Sequence, residues 1–324
     1  MTRFPLYPLK FTPELKEKVW GGSQLVSCLN KEGQGVLGES WEISGVEGTI
    51  SKVATGTLKG KQLTEIIADY KEALVGTSVY ATYGNEFPLL FKFIDAQQDL
   101  SVQLHPNDIL AKKRHNSFGK TEMWYVLKAS GDARLILGFN KEVTKKQYAE
   151  TLAAGQITSL LQSKKVSKGE SFFIAPGTVH AIGAGVLLAE IQQTSDITYR
   201  IYDWDRPDTD GQLRQLHTEE ALEAIDFKNQ PSKIEYSDCE NTRVLLKACP
   251  YFVTHKLQLT EDFVVSNFKE NSFKVYMCVA GEASVLFEGE HVAIKKGETV
   301  LIPACCKHYV FETENATLLE VYIP

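Results

Sequence analysis

The segment VSKGESFFIAPGTVHAI, beginning at Val166, returns in form as IKKGETVLIPACCKHYV, beginning at Ile294, 128 positions later. Each copy has Lys-Gly-Glu, an apolar run, a proline turn and a histidine. Gly169 and His180 are eleven residues apart, as are Gly297 and His308. Upstream, WYVLKASGDARLIL from Trp124 resembles VYMCVAGEASVLFE from Val275 in its order of strand, glycine turn and strand. A repeat of this kind is most economically one supersecondary unit built twice. Short strands punctuated by glycine turns favour antiparallel sandwiches or barrels. The fold class predicted is all-β with helical insertions, comprising two antiparallel β-barrels or sandwiches. Residues 1–240 would form one domain carrying the first copy and 241–324 a second domain carrying a degenerate copy, with 227–241 as a linker.

Along the chain, Phe4–Phe11 reads as an edge strand or extended arm, and Val19-Trp20-Gly21-Gly22 as a tight turn. Glu39–Ser44 alternates as a strand should. Leu63, Ile66, Ile67, Tyr70 and Leu74 follow a helical spacing, predicting a helix near 62–75. Phe87–Ile94 is a nearly continuous apolar strand. Residues 143–163 look helical with a break near Gly155, and Thr218 is a plausible cap for a helix through Ile225. The strands predicted in the C-terminal part are 251–259, 272–279, 283–287, 290–294, 299–302 and 317–322.

The stretch LSVQLHPNDILAKKRHNSFGKTEMWYVL, residues 100–127, carries the chemistry. Ser101, Gln103 and His105 are two apart, so on an extended strand they share a face. Glu122 opens the next apolar run, and a buried carboxylate there needs a counter-charge. His180 follows in the first copy of the repeat. Two imidazoles, a carboxylate and an amide oxygen suit a borderline metal such as zinc. The second copy has no histidine near Met277 or Cys278 to accompany His308, so His308 is predicted to be a surface or hydrogen-bonded residue. Cys306 beside it lacks further ligands, and His115 lies in a polar, exposed stretch.

A formal charge of -6 argues against a nucleic-acid partner. No apolar run approaches the roughly 18 residues of a membrane span, and the first residues carry no apolar leader. Six cysteines without a Cys-x-x-Cys motif read as reduced thiols of a cytoplasmic protein.

Several blocks in one order make the resemblance specific: Val19–Gly22, Ser101–His105, Gly119–Val126, Pro176–Ile182 and Glu190–Arg206. Over essentially its full length the chain resembles the type I mannose-6-phosphate isomerases of the cupin superfamily, in the short form of Gram-positive bacteria. The resemblance implies two cupin-like jelly-roll barrels and one zinc ion held by His105, Glu122 and His180, with Gln103 as a further ligand position. It implies Arg200 as the catalytic arginine, Glu190 as a proton-transfer carboxylate, and Lys120 and Ser101 as contacts to substrate or its phosphate. Phosphate contacts supplied by the helical insertion of the long forms are not carried over, because this chain lacks that insertion.

Read from the residues alone, Lys120 shares a face with Glu122 if both are on one strand. Alternation groups Thr198, Arg200 and Tyr202. The competing expectation for Arg200 is an ion pair with Asp203 or Asp205, and for Glu190 a purely structural bond to Arg200. The implied reaction interconverts D-mannose 6-phosphate and D-fructose 6-phosphate through a cis-enediol. The phosphosugar is the expected partner, and the chain is expected to be a monomer or homodimer. The alternatives are another metal-dependent cupin enzyme and a phosphosugar-binding protein without turnover.

Overall fold

The computed structural model describes residues 6–228, 232–266 and 271–324. Phe4 and Pro5 of the expected arm and residues 229–231 of the expected linker lie outside the described residues. Among the described residues the strands assemble into sheets of nine, seven and five strands, and the register pairs are antiparallel throughout. The seven-stranded sheet is central, in the order Lys233–Ile234, Ser171–Ile174, Glu122–Ala129, Val186–Gln193, Leu89–Ala96, Leu37–Ile43 and Glu14–Gly22. The five-stranded sheet runs Tyr199–Tyr202, Val102–Leu104, His180–Ile182, Arg134–Phe139 and Leu161–Lys165.

Side-chain alternation explains how these sheets stack. Met123, Tyr125, Leu127, Leu187, Ala189 and Ile191 turn one face of the central sheet toward the C-terminal sheet, where they meet Val275, Met277 and Leu319. The intervening residues Trp124, Val126 and Leu188 turn the other way and pack on Leu135, Leu137 and Ile182 of the five-stranded sheet. That parity commits Glu122 and Glu190 to the layer between the two sheets. The outer face of the five-stranded sheet carries Val102, Leu104, Tyr199 and Ile201, covered by helical residues such as Tyr148 and Ala221. Gln103, Arg200 and His180 are consequently turned inward.

The C-terminal sheet curls on itself around Tyr276, Val285, Val300, Phe311 and Leu318. Its longest strands are Lys274–Phe287, which joins the two expected pieces 272–279 and 283–287, and His308–Tyr322, which begins well before the expected 317–322. A bulge between Cys278 and Ala280 absorbs the glycine region, so the expected break before residue 283 is a bend within one strand. Two further strands, Arg243–Ala248 and Phe263–Ser266, complete this sheet. Leu9–Thr12, from the N-terminal arm, joins it beside Thr299–Ile302.

Val19-Trp20-Gly21-Gly22 is the end of the strand Glu14–Gly22, not a turn. The glycines serve close approach: a Cβ on Gly21 would come within 2.5 Å of the backbone of Leu37 and Gly38. The helix expected near 62–75 is two, Leu63–Tyr70 and Glu72–Val75, divided at Lys71 with φ 47°. Residues 143–163 are partly helical, with Lys145–Ala153 followed by the short 3-10 helix Ile157–Leu160, and the chain then enters the strand Leu161–Lys165. The helix Thr218–Ala224 has His217 at its cap position, with Thr218 as its first residue. The expected linker contains the strand Lys233–Ile234.

Candidate metal centre and substrate cavity

His180 and Gln103 are direct cross-strand partners, and Arg200 stands opposite Gln103 on the other side. His105 follows one residue after the strand Val102–Leu104. Across the layer, Glu122 begins its strand beneath them. His105, Glu122 and His180 are each only 1% exposed, so they meet in a space from which bulk water is largely excluded.

Both imidazoles have a fixed tautomer. His105 donates from Nδ1 to the Ile197 carbonyl and His180 from Nδ1 to the Thr178 carbonyl, each at 2.8 Å. A carbonyl only accepts, so each proton sits on Nδ1 and each Nε2 offers a lone pair. Those lone pairs point at one carboxylate: His105 Nε2 is 3.2 Å from Glu122 Oε1, and His180 Nε2 is 3.7 Å from Oε2. One ligand atom of each residue lies within 4.8 Å of the others. Burial and the Lys120 ammonium push the His105 imidazole down to about 4. Burial lowers His180 as well. Burial would raise the Glu122 carboxyl, but the Lys120 ammonium holds it well below its usual range.

The three donors are therefore poised as neutral imidazoles and an ionised carboxylate, the forms that bind metal. Lys120 Nζ lies 2.9 Å from Glu122 Oε1, yet neither carboxylate oxygen accepts a well-aligned hydrogen bond. A buried carboxylate that has one ammonium beside it and faces two imidazole lone pairs still offers a place for a metal cation. Two imidazole nitrogens and one carboxylate oxygen, each imidazole braced from behind by a carbonyl, fit a zinc-like ion. Gln103 stands at the edge, its amide 3.5 Å from His180 Nε2, and Ser101 Oγ donates to its Oε1 at 3.1 Å.

A cavity of about 530 Å³ opens onto this group, with Gln103, Lys120 and His180 in its wall and Glu190, Arg200 and Arg214 further along. His105 and Glu122 do not line it; they lie directly behind Lys120, whose Nζ is 3.3 Å from His105 Nε2. The sequence-predicted residues thus converge on one cavity and its floor. Lys120 precedes the strand Glu122–Ala129 instead of sharing it, but still reaches Glu122.

Glu190 is held differently from the alternative bond to Arg200. Trp124 Nε1 donates to its Oε1 at 2.9 Å, and Lys92 Nζ lies 3.1 Å from its Oε2. Lys92 also faces Glu39 at 3.8 Å and lies over the Trp41 ring. Burial would lower the Lys92 ammonium, but Glu190 and Glu39 raise it to about 12. Burial would raise the Glu39 carboxyl, but Lys92, Lys18 and the Trp41 indole bring it to about 2. The signal for Lys92 was visible as the one charge in the apolar run FPLLFKFI.

Arg200 forms no ion pair with Asp203 or Asp205. Asp203 is clasped by Arg214 and Arg206, and Asp205 accepts from the Tyr202 hydroxyl. Arg200 donates from one terminal nitrogen to the Gln215 carbonyl at 2.9 Å, while its buried Nε has no partner. Burial and the neighbouring Arg214 depress its affinity for its proton. An anion entering the cavity would relieve that repulsion. His115 closes the helix Asp108–His115, exposed, and pairs with the Tyr199 hydroxyl at 2.8 Å.

Residues 8–125 match the family model for the catalytic domain of type I phosphomannose isomerases, and residues 241–323 match that for the cupin domain of mannose-6-phosphate isomerases. The mannose-6-phosphate isomerase ManA of Bacillus subtilis is 37% identical over 302 residues, covering 91% of this chain and 93% of that protein. The mannose-6-phosphate isomerase of Streptococcus mutans is 33% identical over 310 residues, covering 94% and 95%. The crystal structure of mannose 6-phosphate isomerase from Bacillus subtilis superposes with a TM-score of 0.88 at 29% identity, covering 98% of this chain and 99% of that one. With its layered antiparallel sheets and buried His-Glu-His group, this chain belongs to the type I phosphomannose isomerase family.

Proposed function

We propose that the chain interconverts D-mannose 6-phosphate and D-fructose 6-phosphate, with one zinc ion held by His105, Glu122 and His180 and with Gln103 at its edge. The observation that carries this reading is the convergence of two imidazole nitrogens on a buried carboxylate directly behind a cavity lined by Lys92, Lys120, Glu190 and Arg200. When bound, zinc would supply Lewis-acid stabilisation of charge developing on the sugar oxygens at C1 and C2.

The chain's own residues do the rest. The hydrogen must leave C2 of the open-chain aldose as a proton and return at C1, while O1 gains a proton and O2 gives its own up, which passes through a cis-enediol. Glu190 is the proposed proton carrier. Trp124 occupies its Oε1, leaving Oε2 without an aligned hydrogen bond beside Lys92. Arg200, with an unpartnered Nε in the cavity wall, is placed to stabilise the enediolate oxygen. Lys120 and Ser101 would orient sugar hydroxyls or phosphate, and that positioning raises the rate at the reacting carbons.

The reading assigns the catalytic machinery to residues 1–240 and a degenerate copy to 241–324. It places the enzyme in the cytoplasm, where its six free cysteines would persist as thiols. No helix among the described residues is long and apolar enough to cross a membrane. The test is turnover of mannose 6-phosphate by purified protein before chelation, after it, and after zinc is restored. Zinc-restored isomerisation is expected; fully metal-loaded protein that does not isomerise would reject the reading.

A further inference from the structure

Lys120 and Glu122 reach the site from a short strip that is irregular up to Thr121. A strip of that kind needs outside support to hold a side chain in place. Its backbone is bonded from behind at successive residues. Gly119 N–H donates to Asp108 Oδ1 at 2.8 Å, Lys120 N–H to the Pro106 carbonyl at 3.2 Å, and Thr121 N–H to Gln193 Oε1 at 2.9 Å. Gln193 N–H donates in return to the Thr121 carbonyl at 3.1 Å. The two side chains that make this clasp are themselves joined, Gln193 Nε2 donating to Asp108 Oδ1 at 3.0 Å. Gly119 allows the approach, since a Cβ there would stand 2.6 Å from Asp108 N.

The remaining oxygen of Asp108 is taken from far along the chain. Tyr251 Oη donates to Asp108 Oδ2 at 2.5 Å. Tyr251 lies within the segment 241–323 that matches the cupin-domain model, outside the half that carries the metal-binding group. Asp108, Gln193 and Tyr251 line a separate cavity of about 480 Å³, while Lys120 lines the substrate cavity. The strip 119–122 is thus a thin partition, with reacting groups on one side and its clasp on the other.

We infer that Asp108, Gln193 and Tyr251 are positioning residues that set Lys120 and Glu122 for the reaction, and that through Tyr251 the C-terminal half takes part in shaping the active site. The inference rests on the isomerase site proposed above. None of the three lines the substrate cavity; they act through backbone atoms of the strip. A displacement of about 1 Å at a reacting group costs on the order of 10²-fold in rate, so loosening the clasp lowers kcat more than it alters KM.

The test compares Asp108→Ala, Asp108→Asn and Tyr251→Phe with the parent, reading kcat and KM together with the rate at which a chelator strips zinc. Asp108→Ala is expected to lower kcat about tenfold with KM within about threefold, and to speed zinc loss, because Glu122 is held less firmly. Asp108→Asn keeps an amide oxygen for Gly119 and Gln193 and is expected to recover most of both. Tyr251→Phe, which leaves every contact to the strip in place, is expected to lower kcat about threefold. If Asp108→Ala and Tyr251→Phe both keep kcat and zinc loss within twofold of the parent, even with a lowered Tm, the clasp is only structural and the inference falls. Should Asp108→Ala fail to fold, Tyr251→Phe decides by the same two readouts. A parent that binds zinc without isomerising would overturn the proposed function, while the zinc-loss comparison would still judge the clasp.

Discussion

In the first copy of the repeat, Ile174 stands opposite Glu122 and Phe172 opposite Trp124; in the second, 128 positions on, Ile302 stands opposite Lys274 and Val300 opposite Tyr276. The correspondence continues across the sheets. Trp124, Glu190 and Lys92 form one row of cross-strand partners, and Tyr276, Glu320 and His255 form the matching row. In both rows an aromatic side chain donates to the carboxylate, Trp124 Nε1 to Glu190 at 2.9 Å and Tyr276 Oη to Glu320 at 2.5 Å. The rows differ at their neighbour. Where the first copy has Glu122, the second has Lys274, whose Nζ is 3.2 Å from Glu320, and Arg243 Nε joins the same carboxylate at 2.8 Å. The second barrel meets its buried negative charge with side chains of its own. In the first, Glu122 has Lys120 Nζ at 2.9 Å and also faces two imidazole nitrogens, an arrangement that could hold a metal ion as well.

The comparison breaks most visibly at Glu122. Glu122→Gln removes the only charged ligand of the first copy, and is expected to abolish tight zinc retention and lower turnover by at least about 10³-fold. Metal analysis and the isomerase assay check both; retained zinc with normal turnover would separate the carboxylate from the site. Arg200→Ala comes next. It is expected to lower kcat by about 10²–10³-fold with zinc content unchanged, as for loss of one oxyanion-stabilising donor. An unchanged rate would remove Arg200 from the chemistry.

The buried charge cluster around Glu320 in the second barrel should respond in stability alone. Lys274→Met strips a buried cation, 2% exposed, from a carboxylate at 0%, and is expected to cost about 3 kcal/mol in denaturant unfolding while kcat and zinc stoichiometry stay at parental values. A changed zinc stoichiometry would show that the second copy takes part in metal binding. The smallest effect is a titration. Glu39 has its folded pKa depressed from 4.5 to about 2, so its contribution to stability is present above pH 4.5 and is lost as pH falls toward 2. Glu39→Gln is expected to flatten acid unfolding over that interval; an unchanged profile would mean that Lys92 and Lys18 do not stabilise the ionised form.

Much of this arrangement was legible because strand parity is a local rule. Two-residue spacing placed Gln103 and His105, and the repeated Lys-Gly-Glu segment marked the two barrels. The lack of companion ligands likewise marked His308 as a surface or hydrogen-bonded residue, as it is. His308 keeps the eleven-residue spacing from Gly297, yet it is exposed and bonded to Ser266, while Tyr309 turns inward to meet Tyr276 at 2.7 Å between hydroxyls. Gly21 and Gly22 read as a turn because glycine's conformational freedom and its small size leave the same mark in a sequence. Lys92 was visible but had no partner to give it meaning, since Glu39 and Glu190 come from other strands. Tyr251 was not legible at all: its bond to Asp108 spans 143 residues and depends on how the two halves dock.

The most direct test of the account is a zinc titration of the metal-free chain with isomerase activity followed at each addition. The account predicts that activity rises in proportion to zinc and stops at one ion per chain, because among the described residues His105, Glu122 and His180 are the one group of histidine, cysteine and acidic side chains close enough together to hold a metal ion. Activity that needs a second ion, or that is already complete without zinc, would contradict it.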